Sequence, residues 1–406
     1  MSTDFQSSTN AAQLTRQGQL NGTGDARALY LKLFSGEMFK GFQNNTIARD
    51  LVMRRTLTNG KSLQFIYTGR TTAEYHIPGN SILGDTKGRP PVAEKTITVD
   101  DLLISSAFLY DLDEVLSHYD MRSEISRKIG YALAEKYDRL IFRAIAKGAR
   151  QASPVQSVGT GGSLESMEEP GGTQIQVGSD TGSEADAFDA GNLVTAFYDA
   201  AAALDEKGVS QDGRVGVLNP RQYYALIQGV GDSAGVGRFL VNRDAQGSAL
   251  QSGQGVVEIA GIKIYKSMNI PFLGNYGTKY GGSTGVTSPG NTGNFVGSDS
   301  EFEAGTTAET GLNNNYGAQD AFDTSCGLIF QREAAGCVEA IAPQVQVTSG
   351  DVSTIYQGDV ILGRLAMGAD FLNPACAVEL HVTNTPPAKF PANNSYPANA
   401  VDGPTP

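Results

Sequence analysis

Residues 56–150 constrain the fold of this chain most, because they predict a long polar β-hairpin followed at once by a long helix. The apolar residues of the two arms alternate with polar ones, at Leu63, Phe65, Tyr67, Ile97 and Val99. The segment between the arms is rich in glycine and proline and has few large apolar residues. A two-stranded ribbon is only marginally stable by itself in water. We therefore expect the hairpin to rest on other protein, and the subunit to be completed by its neighbours.

The helix that follows the hairpin is long and basic. Its apolar residues recur at helical spacing from Ile125 to Ile145, and Gly148 lies near its end. About 28 helical residues would form a rod about 40 Å long. Eight basic and three acidic residues lie between positions 122 and 150. Arg122, Arg127 and Lys128 are candidates for weak, nonspecific contact with nucleic-acid phosphates, and pairing with acidic groups of the same or a neighbouring subunit is the alternative.

The charge of the 406-residue chain is unevenly distributed. The net charge is −12, but residues 1–150 contain 20 basic and 16 acidic side chains, and the remainder contains 11 and 27. This asymmetry suits a chain whose first part meets anionic surfaces while the rest repels nucleic acid. The polar N-terminus lacks the apolar region of a secretion signal, and we expect no membrane segment. The three cysteines have no zinc-site spacing, which indicates buried free thiols of a protein made in a reducing cytoplasm.

The second half of the chain predicts a mixed α+β fold. An amphipathic helix is predicted over 188–204 and a second one from Asn219 and Pro220. Strands are predicted over 214–218, 256–265 with a bend at Gly261, 326–347 and 377–382, whereas 360–371 reads as a strand or a helix. Residues 151–187 and 274–316 are predicted to be loops rich in glycine, and a short helix is predicted over 28–34.

Candidate catalytic and metal-binding residues do not form a convincing site. Ser283 lies in a GGSTG motif at 281–285 that matches the nucleophile elbow of hydrolases, but loop-forming sequence surrounds it on both sides. His76, His118 and His381 each lack a nearby second ligand, and the acidic cluster at 165–169 lacks the alternating oxygen ligands of a calcium loop. The sequence therefore predicts no enzyme and no cofactor.

Short motifs along residues 28–380 resemble the major capsid proteins of short-tailed bacteriophages (podoviruses), particularly those of cyanophages. The matching motifs are ALYLKLFSGE (28–37), GKSLQF (60–65), GRTT (69–72), PG (78–79), EKTITVD (94–100), YDLD (110–113), HYDMRSE (118–124), LNP (218–220), GIKIY (261–265), IP (270–271), REAAG (332–336) and AMG (366–368). The chain departs from the family pattern in its long glycine-rich loops, in its proline-rich tail, and at 371–374, where FLNP stands in place of an Arg-Pro pair.

This resemblance implies the tailed-phage capsid fold of the Hong Kong 97 type. It implies an N-terminal arm (1–45), an extended loop (55–98), a spine helix (110–150) within a peripheral domain (99–189 and 344–382), and an axial domain (190–343) that carries the insertion 274–316. Residues 383–406 would be a flexible tail. The resemblance further implies hexamers and pentamers in an icosahedral virion shell around double-stranded DNA, assembled in the host cytoplasm with a scaffolding protein and with a portal at one vertex.

The hypothesis for assembly is that the hairpin lies over an adjacent subunit. Its candidate contact residues are Arg54, Arg55, Lys61, Arg70, Glu74 and Arg89. Under the same hypothesis Arg122, Arg127 and Lys128 would face DNA or a scaffolding protein. A tail-tube or head-decoration protein is the alternative, although neither needs a long basic helix, and a serine hydrolase using Ser283 is a third interpretation.

Overall fold

The computed structural model describes residues 47–69, 75–79, 92–112, 121–152, 170–178, 184–228, 257–272, 312–316, 322, 324–347 and 357–382. The predicted arm (1–45), the helix predicted within it and the predicted tail (383–406) lie outside these residues.

The described elements include both helices and strands, with several consecutive strands between and after the helices. The helices are α1 (Ala48–Leu51), α2 (Met121–Ala149), α3 (Ala190–Glu206) and α4 (Pro220–Gln228). The strands are β1 (Met53–Thr56), β2 (Ser62–Thr68), β3 (Val92–Thr98), β4 (Leu103–Tyr110), β5 (Thr173–Gln176), β6 (Arg214–Leu218), β7 (Val257–Ile259), β8 (Ile262–Lys266), β9 (Ser325–Gln331), β10 (Ala335–Val347), β11 (Gly358–Phe371) and β12 (Ala377–His381).

The chain divides into two compact units. The first contains residues 102–136 and 341–366, and the second contains residues 45–101, 137–340 and 367–406. In the first unit β4 pairs antiparallel with β11, and Ile129 and Leu133 of α2 bury Ile361 of β11. One face of this strand pair is therefore covered by the first half of the long helix.

The second unit contains a six-stranded sheet in the order β5-β12-β9-β6-β8-β7. Strands β6 and β8 pair in parallel, β9 runs antiparallel to both β6 and β12, and β7 and β8 form a tight antiparallel pair. Between them Ala260 and Gly261 adopt positive φ values of 52° and 76°. The predicted bend at Gly261 is confirmed, since glycine favours this conformation. Helix α3 packs on the sheet so closely that a Cβ on Gly216 would meet the Phe197 ring at 2.7 Å.

Local sequence signals explain where the helices of the second unit begin and end. Asp189 caps α3, because its carboxylate accepts hydrogen bonds from the backbone N–H groups of Gly191 and Asn192. Helix α4 begins at Pro220 as predicted, directly after β6.

The end of α2 is fixed to the six-stranded sheet by a buried ion pair. The Arg150 guanidinium donates to both oxygens of Glu379, from Nε at 2.7 Å and from Nη2 at 2.5 Å. Arg150 also donates to Ser325 at 3.2 Å, and its guanidinium lies 4.6 Å from the ring centroid of Phe322. The side chains of Arg150 and Glu379 are 1% and 0% exposed. The last basic residue of the predicted basic helix is therefore an internal anchor.

Three expectations need correction or completion. Residues 151–187 are not loop throughout, because β5 pairs in parallel with β12 and a 3₁₀ turn forms at Glu184–Phe188. Four residues of alternating pattern are too few to predict such an edge strand, which exists because β12 offers it a partner. The ambiguous segment at 360–371 is a strand, β11. The predicted spine helix (110–150) is described as a helix from Met121 to Ala149, whereas Tyr110 is the last residue of β4.

Candidate functional site

The predicted hairpin is present and its inner face belongs to the core of the second unit. Strands β2 and β3 pair antiparallel, with Leu63 opposite Ile97 and Phe65 opposite Lys95. Residues directly opposite each other lie on the same face. Ile97 is fully buried in a cluster with Val338, against which Leu63 and Phe65 pack. The stem of the hairpin therefore rests on its own subunit.

The outer face of the hairpin has exposed apolar side chains toward its far end. Ile66 is 76% exposed and Val92 is 41% exposed on the outer face. Beyond the strands, Tyr75 is 100% exposed and Ile77 is 65% exposed. Several large apolar side chains exposed in one stretch of a soluble chain mark an interaction surface. This distal apolar end of the hairpin (Ile66, Tyr75, Ile77 and Val92) is the candidate site.

A buried lysine anchors the stem at the base of this projection. Lys95 of β3 is 6% exposed, and its ammonium lies 2.7 Å from Oδ2 of Asp370 and 3.9 Å from the ring centroid of Phe371. Lys147 of α2 approaches Oδ1 of the same carboxylate at 3.3 Å. Burial lowers the pKa of Lys147, the positive charge of Lys95 lowers it further, and Asp370 opposes the decrease. Two buried cations therefore share one carboxylate, which ties the hairpin to α2 and β11.

A second anchor lies immediately after β3. The Asp100 carboxylate accepts hydrogen bonds from the backbone N–H groups of Asn313 (2.7 Å) and Asn314 (3.0 Å) and from the Tyr316 hydroxyl (2.5 Å). Burial raises the pKa of Asp100, and these donors oppose the increase because they favour the ionised form. The chain therefore leaves the hairpin in a fixed position.

Three of the six predicted contact residues lie within the described part of the chain. Arg55 and Lys61 are exposed at the base of the hairpin. Arg54 is half-exposed, with Nη1 4.0 Å from Glu339. Arg70, Glu74 and Arg89 lie outside the described residues. No finding tests the intersubunit role of these six residues, so it stays a prediction.

Glu339 belongs to a buried cluster that joins α1, α2 and β10. Arg49 donates to both of its carboxylate oxygens at 3.0 Å, and the Tyr137 hydroxyl donates to Oε1 at 2.8 Å. Asp138, next to Tyr137, accepts hydrogen bonds from the backbone N–H groups of Ile47 and Ala48. The segment that leads into β1 is therefore fastened to the long helix.

The predicted basic residues at the start of α2 lie in the first unit. Arg122 forms an ion pair with Asp359 at 2.9 Å, and Arg127 lies 4.0 Å from Glu124 and over the Tyr131 ring. Lys128 and Arg127 are exposed. Arg122 is thus partly committed to its own subunit, and the role of the three residues toward DNA or a scaffolding protein stays a prediction.

The described residues offer little reactive chemistry. Burial raises the pKa of the Cys326 and Cys337 thiols to about 12, so both are protonated at neutral pH, and Cys376 is buried and free. His76 is exposed and His381 is buried, while His118 and Ser283 lie outside the described residues. In the described ranges no cluster of three or more His, Cys, Asp or Glu side chains could hold a metal ion. None of the helices in these ranges has the length and apolar character needed to cross a membrane.

Comparison with known proteins identifies the family. The model of the Gp10A-like family, described as major capsid protein, matches residues 64–381. The chain belongs to this family of major capsid proteins. The match includes β3, the long helix and the six-stranded sheet, so it covers most of the hairpin stem and its supports.

Relatives of this capsid protein agree with the assignment. It is 27% identical over 372 residues to the major capsid protein of Escherichia phage T7, which covers 89% of this chain and 94% of the relative. The capsid structure of cyanophage P-SCSP1u is 29% identical, with a TM-score of 0.64, and the alignment covers 93% of this chain and 100% of that one. The mature capsid of bacteriophage PhiM1 is 16% identical with a TM-score of 0.59 and shares the fold.

These comparisons confirm the predicted capsid fold of tailed phages, the podovirus-type family and the role as a major capsid protein of the virion. The capsid protein accordingly associates with copies of itself. The tail-tube and decoration interpretations are wrong, because the family match and the matched structures are capsid proteins.

Sequence reasoning missed the residues that anchor the hairpin. Lys95 was in phase with Ile97 and Val99 in the alternating pattern, so the period of two already placed this lysine on the inner face. Asn313, Asn314 and Tyr316 form a polar run at the end of a glycine-rich insertion, and no periodic signal distinguishes them from loop residues.

Proposed function

We propose that this capsid protein builds the phage head by lateral association, with the hairpin as an arm that lies over an adjacent subunit. The observation that carries this proposal is the contrast between the two faces of the hairpin. Its inner face is packed on Val338 and held by Asp370, whereas Ile66 and Val92, on the outer face toward the far end, are exposed. A rigid stem supports a distal apolar end in a position where a neighbouring copy can cover it.

Many copies of the same weak contact between subunits would together stabilise the shell. Arg55 and Lys61 are exposed near the stem, and each exposed ion pair contributes only about 0–1 kcal/mol. Many equivalent weak contacts in hexamers and pentamers add up, and individually weak contacts let wrongly placed subunits leave.

Further partners follow from the same role. Under this proposal a scaffolding protein guides assembly, a portal occupies one vertex, and the exposed Lys128 contacts DNA weakly. The strongly acidic second part of the chain supports a shell that holds DNA without binding it tightly.

The protein has no catalytic role, which the protonated thiols of Cys326 and Cys337 support. Residues 99–189 and 344–382 would form the peripheral domain and 190–343 the axial domain.

The test is deletion of residues 69–89, which removes the tip and retains β2 and β3. The full chain and the deletion variant are produced alone and with scaffolding protein, and the products are examined by negative-stain electron microscopy. We expect closed shells from the full chain and folded but unassembled subunits from the variant. Closed shells from the variant would refute the proposal.

A further inference from the structure

Residues 312–316, here called the strap, form hydrogen bonds with the end of β3 and the residues just after it. They are the last residues of the glycine-rich insertion 274–316 and contain no helix or strand. The Asn314 side chain contacts Thr98 of β3 with both of its polar atoms. Its Nδ2 donates to the Thr98 carbonyl oxygen at 2.5 Å, and its Oδ1 accepts from the Thr98 N–H at 3.4 Å. One amide side chain thus takes the place that a third β-strand would occupy.

The neighbouring strap residues extend this contact along the chain. Asn313 Nδ2 donates to the Val99 carbonyl oxygen at 2.7 Å. The Tyr316 hydroxyl donates to Asp100 and accepts a 3.0 Å hydrogen bond from the Ala369 N–H. The strap therefore joins residues 98–100, at the end of the hairpin arm, to β11.

The strap also contacts the charged anchor of the stem. The ammonium of Lys147 donates to the Asn315 carbonyl oxygen at 2.8 Å while it approaches Asp370 at 3.3 Å. Gly368 completes the fit, because a Cβ at this position would collide with the Thr98 carbonyl oxygen. The stem, the strap and β11 consequently approach one another more closely than a side chain at position 368 would allow.

We propose that the strap holds the hairpin in one orientation. When its hydrogen bonds to residues 98–100 are formed, the subunit is competent for assembly, and when they break the hairpin can change its orientation. Three features support this device. The strap holds the hairpin through polar contacts, its hydrogen bonds concentrate on residues 98–100, and among the described residues it is not itself a strand of any sheet. Because it belongs to no sheet, the strap can detach without breaking a strand pair, and its detachment also exposes the Tyr316 ring, which is 1% exposed in the closed arrangement. The part of the proposal that concerns assembly rests on the proposed function of the hairpin.

The test compares Asn314→Ala and Tyr316→Phe with Asp189→Ala in the full-length chain. Asp189 caps α3 in the same unit through hydrogen bonds to Gly191 and Asn192, so its loss destabilises this helix without changing the strap. Hydrogen exchange is measured by mass spectrometry on unassembled subunits, for peptides that contain β2, β3 and, as an internal reference, β9. Each lost hydrogen bond should accelerate opening about three- to tenfold.

We expect Asn314→Ala to accelerate exchange in β2 and β3 by about tenfold or more, with β9 changed no more than in Asp189→Ala. Tyr316→Phe should show a smaller effect in the same peptides. If Asp189→Ala accelerated hydrogen exchange in the hairpin equally, or if exchange in Asn314→Ala were unchanged, the proposed role of the strap would be overturned.

The assembly measurement separates the strap from the function of the hairpin. The subunit concentration at which shells first form should rise in Asn314→Ala and stay near wild type in Asp189→Ala. Faster exchange without a change in this concentration would overturn the link between strap and assembly, and would leave the hairpin deletion as the separate test of lateral association.

Discussion

The Tyr137 hydroxyl donates a 2.8 Å hydrogen bond to Glu339, and thereby joins the long helix to β10 beside the first strand of the chain. The hydroxyl also lies 3.1 Å from the Cys337 sulfur. Arg49 completes the cluster by donating to both carboxylate oxygens of Glu339. Burial tends to raise the pKa of Glu339, but the hydrogen bonds from Arg49 and Tyr137 and the nearby positive charges hold it below its ordinary value.

The first prediction concerns the acid sensitivity of this cluster. Because the pKa of Glu339 is lower in the folded chain, its contribution to stability is complete above the ordinary glutamate pKa and is lost as the pH falls through the folded value. Glu339→Gln should reduce the free energy of unfolding at pH 7 by about 1–3 kcal/mol and should flatten the decline of stability below about pH 5. Chemical denaturation at a series of pH values measures both effects. An unchanged acid profile in the variant would contradict the assignment.

The second prediction concerns the two lysines that share Asp370. Lys147→Met leaves Lys95 and Asp370 as a neutral pair, so we expect the free energy of unfolding to change by less than about 1 kcal/mol at pH 7. Asp370→Asn leaves two buried cations without a carboxylate and should cost about 3–5 kcal/mol. Urea denaturation of both variants checks this order. Similar losses of unfolding free energy in both variants would show that Lys95 and Lys147 do not compete for Asp370.

The cluster of Lys95, Lys147 and Asp370 also predicts how the stability of the fold changes at alkaline pH. The pKa of Lys147 is lowered in the folded chain, so the unfolded chain binds more protons between the folded value and the ordinary lysine pKa. The free-energy cost of burying the Lys147 ammonium therefore decreases as the pH rises through that interval. The stability of the wild type relative to Lys147→Met should increase in this direction, and denaturation at two alkaline pH values measures the difference.

The third prediction compares two glycines. Gly368→Ala should force the stem away from β11, because the new Cβ would overlap the Thr98 carbonyl oxygen, and it should destabilise the fold by about 1–3 kcal/mol. Gly130→Ala in α2 meets nothing within 4 Å and should stabilise the helix by about 0.5–1 kcal/mol. Thermal unfolding of the two variants checks their opposite signs. A stabilised Gly368→Ala would show that the close approach is not required.

The fourth prediction concerns the distal apolar end of the hairpin. The double change Ile66→Thr and Val92→Thr should leave the stability of the free subunit within about 0.5 kcal/mol, since both side chains are exposed. In the shell each would lose up to about 1.5–3 kcal/mol of burial, so the concentration needed for assembly should rise at least tenfold. Gln64→Thr, on the same face nearer the stem, is the matched control. Light scattering measured against subunit concentration gives the concentration at which shells form. An equal concentration for the wild type, the double variant and Gln64→Thr would contradict the prediction.

The fifth prediction concerns covalent chemistry between subunits. The described cysteines are buried and free, and burial holds the thiols of Cys326 and Cys337 in the protonated form. Intact particles boiled in detergent should therefore run as single chains in gel electrophoresis. A ladder of higher species would show cross-links between subunits.

The sequence predicted the elements with strong local signals. The alternation at Leu63 and Ile97 located the hairpin, and Asn219 with Pro220 located the start of α4. The edge strand β5 was missed because its four residues depend on β12 as a partner. The strap was missed for a related reason, since Asn314 acts through a contact with Thr98, 216 positions away in sequence. Long-range polar contacts leave no periodic trace in a single sequence.

The positions of the anchors in sequence have a consequence for synthesis on the ribosome. The hairpin arms are made early, but Asn314, Val338 and Asp370, which hold them, come from the last third of the chain. Because a chain emerges from its N-terminus onward, an incomplete subunit carries an arm whose base is not yet fastened. Only a nearly finished polypeptide can present that arm in its final orientation, so prematurely terminated chains lack the means to enter a growing shell correctly.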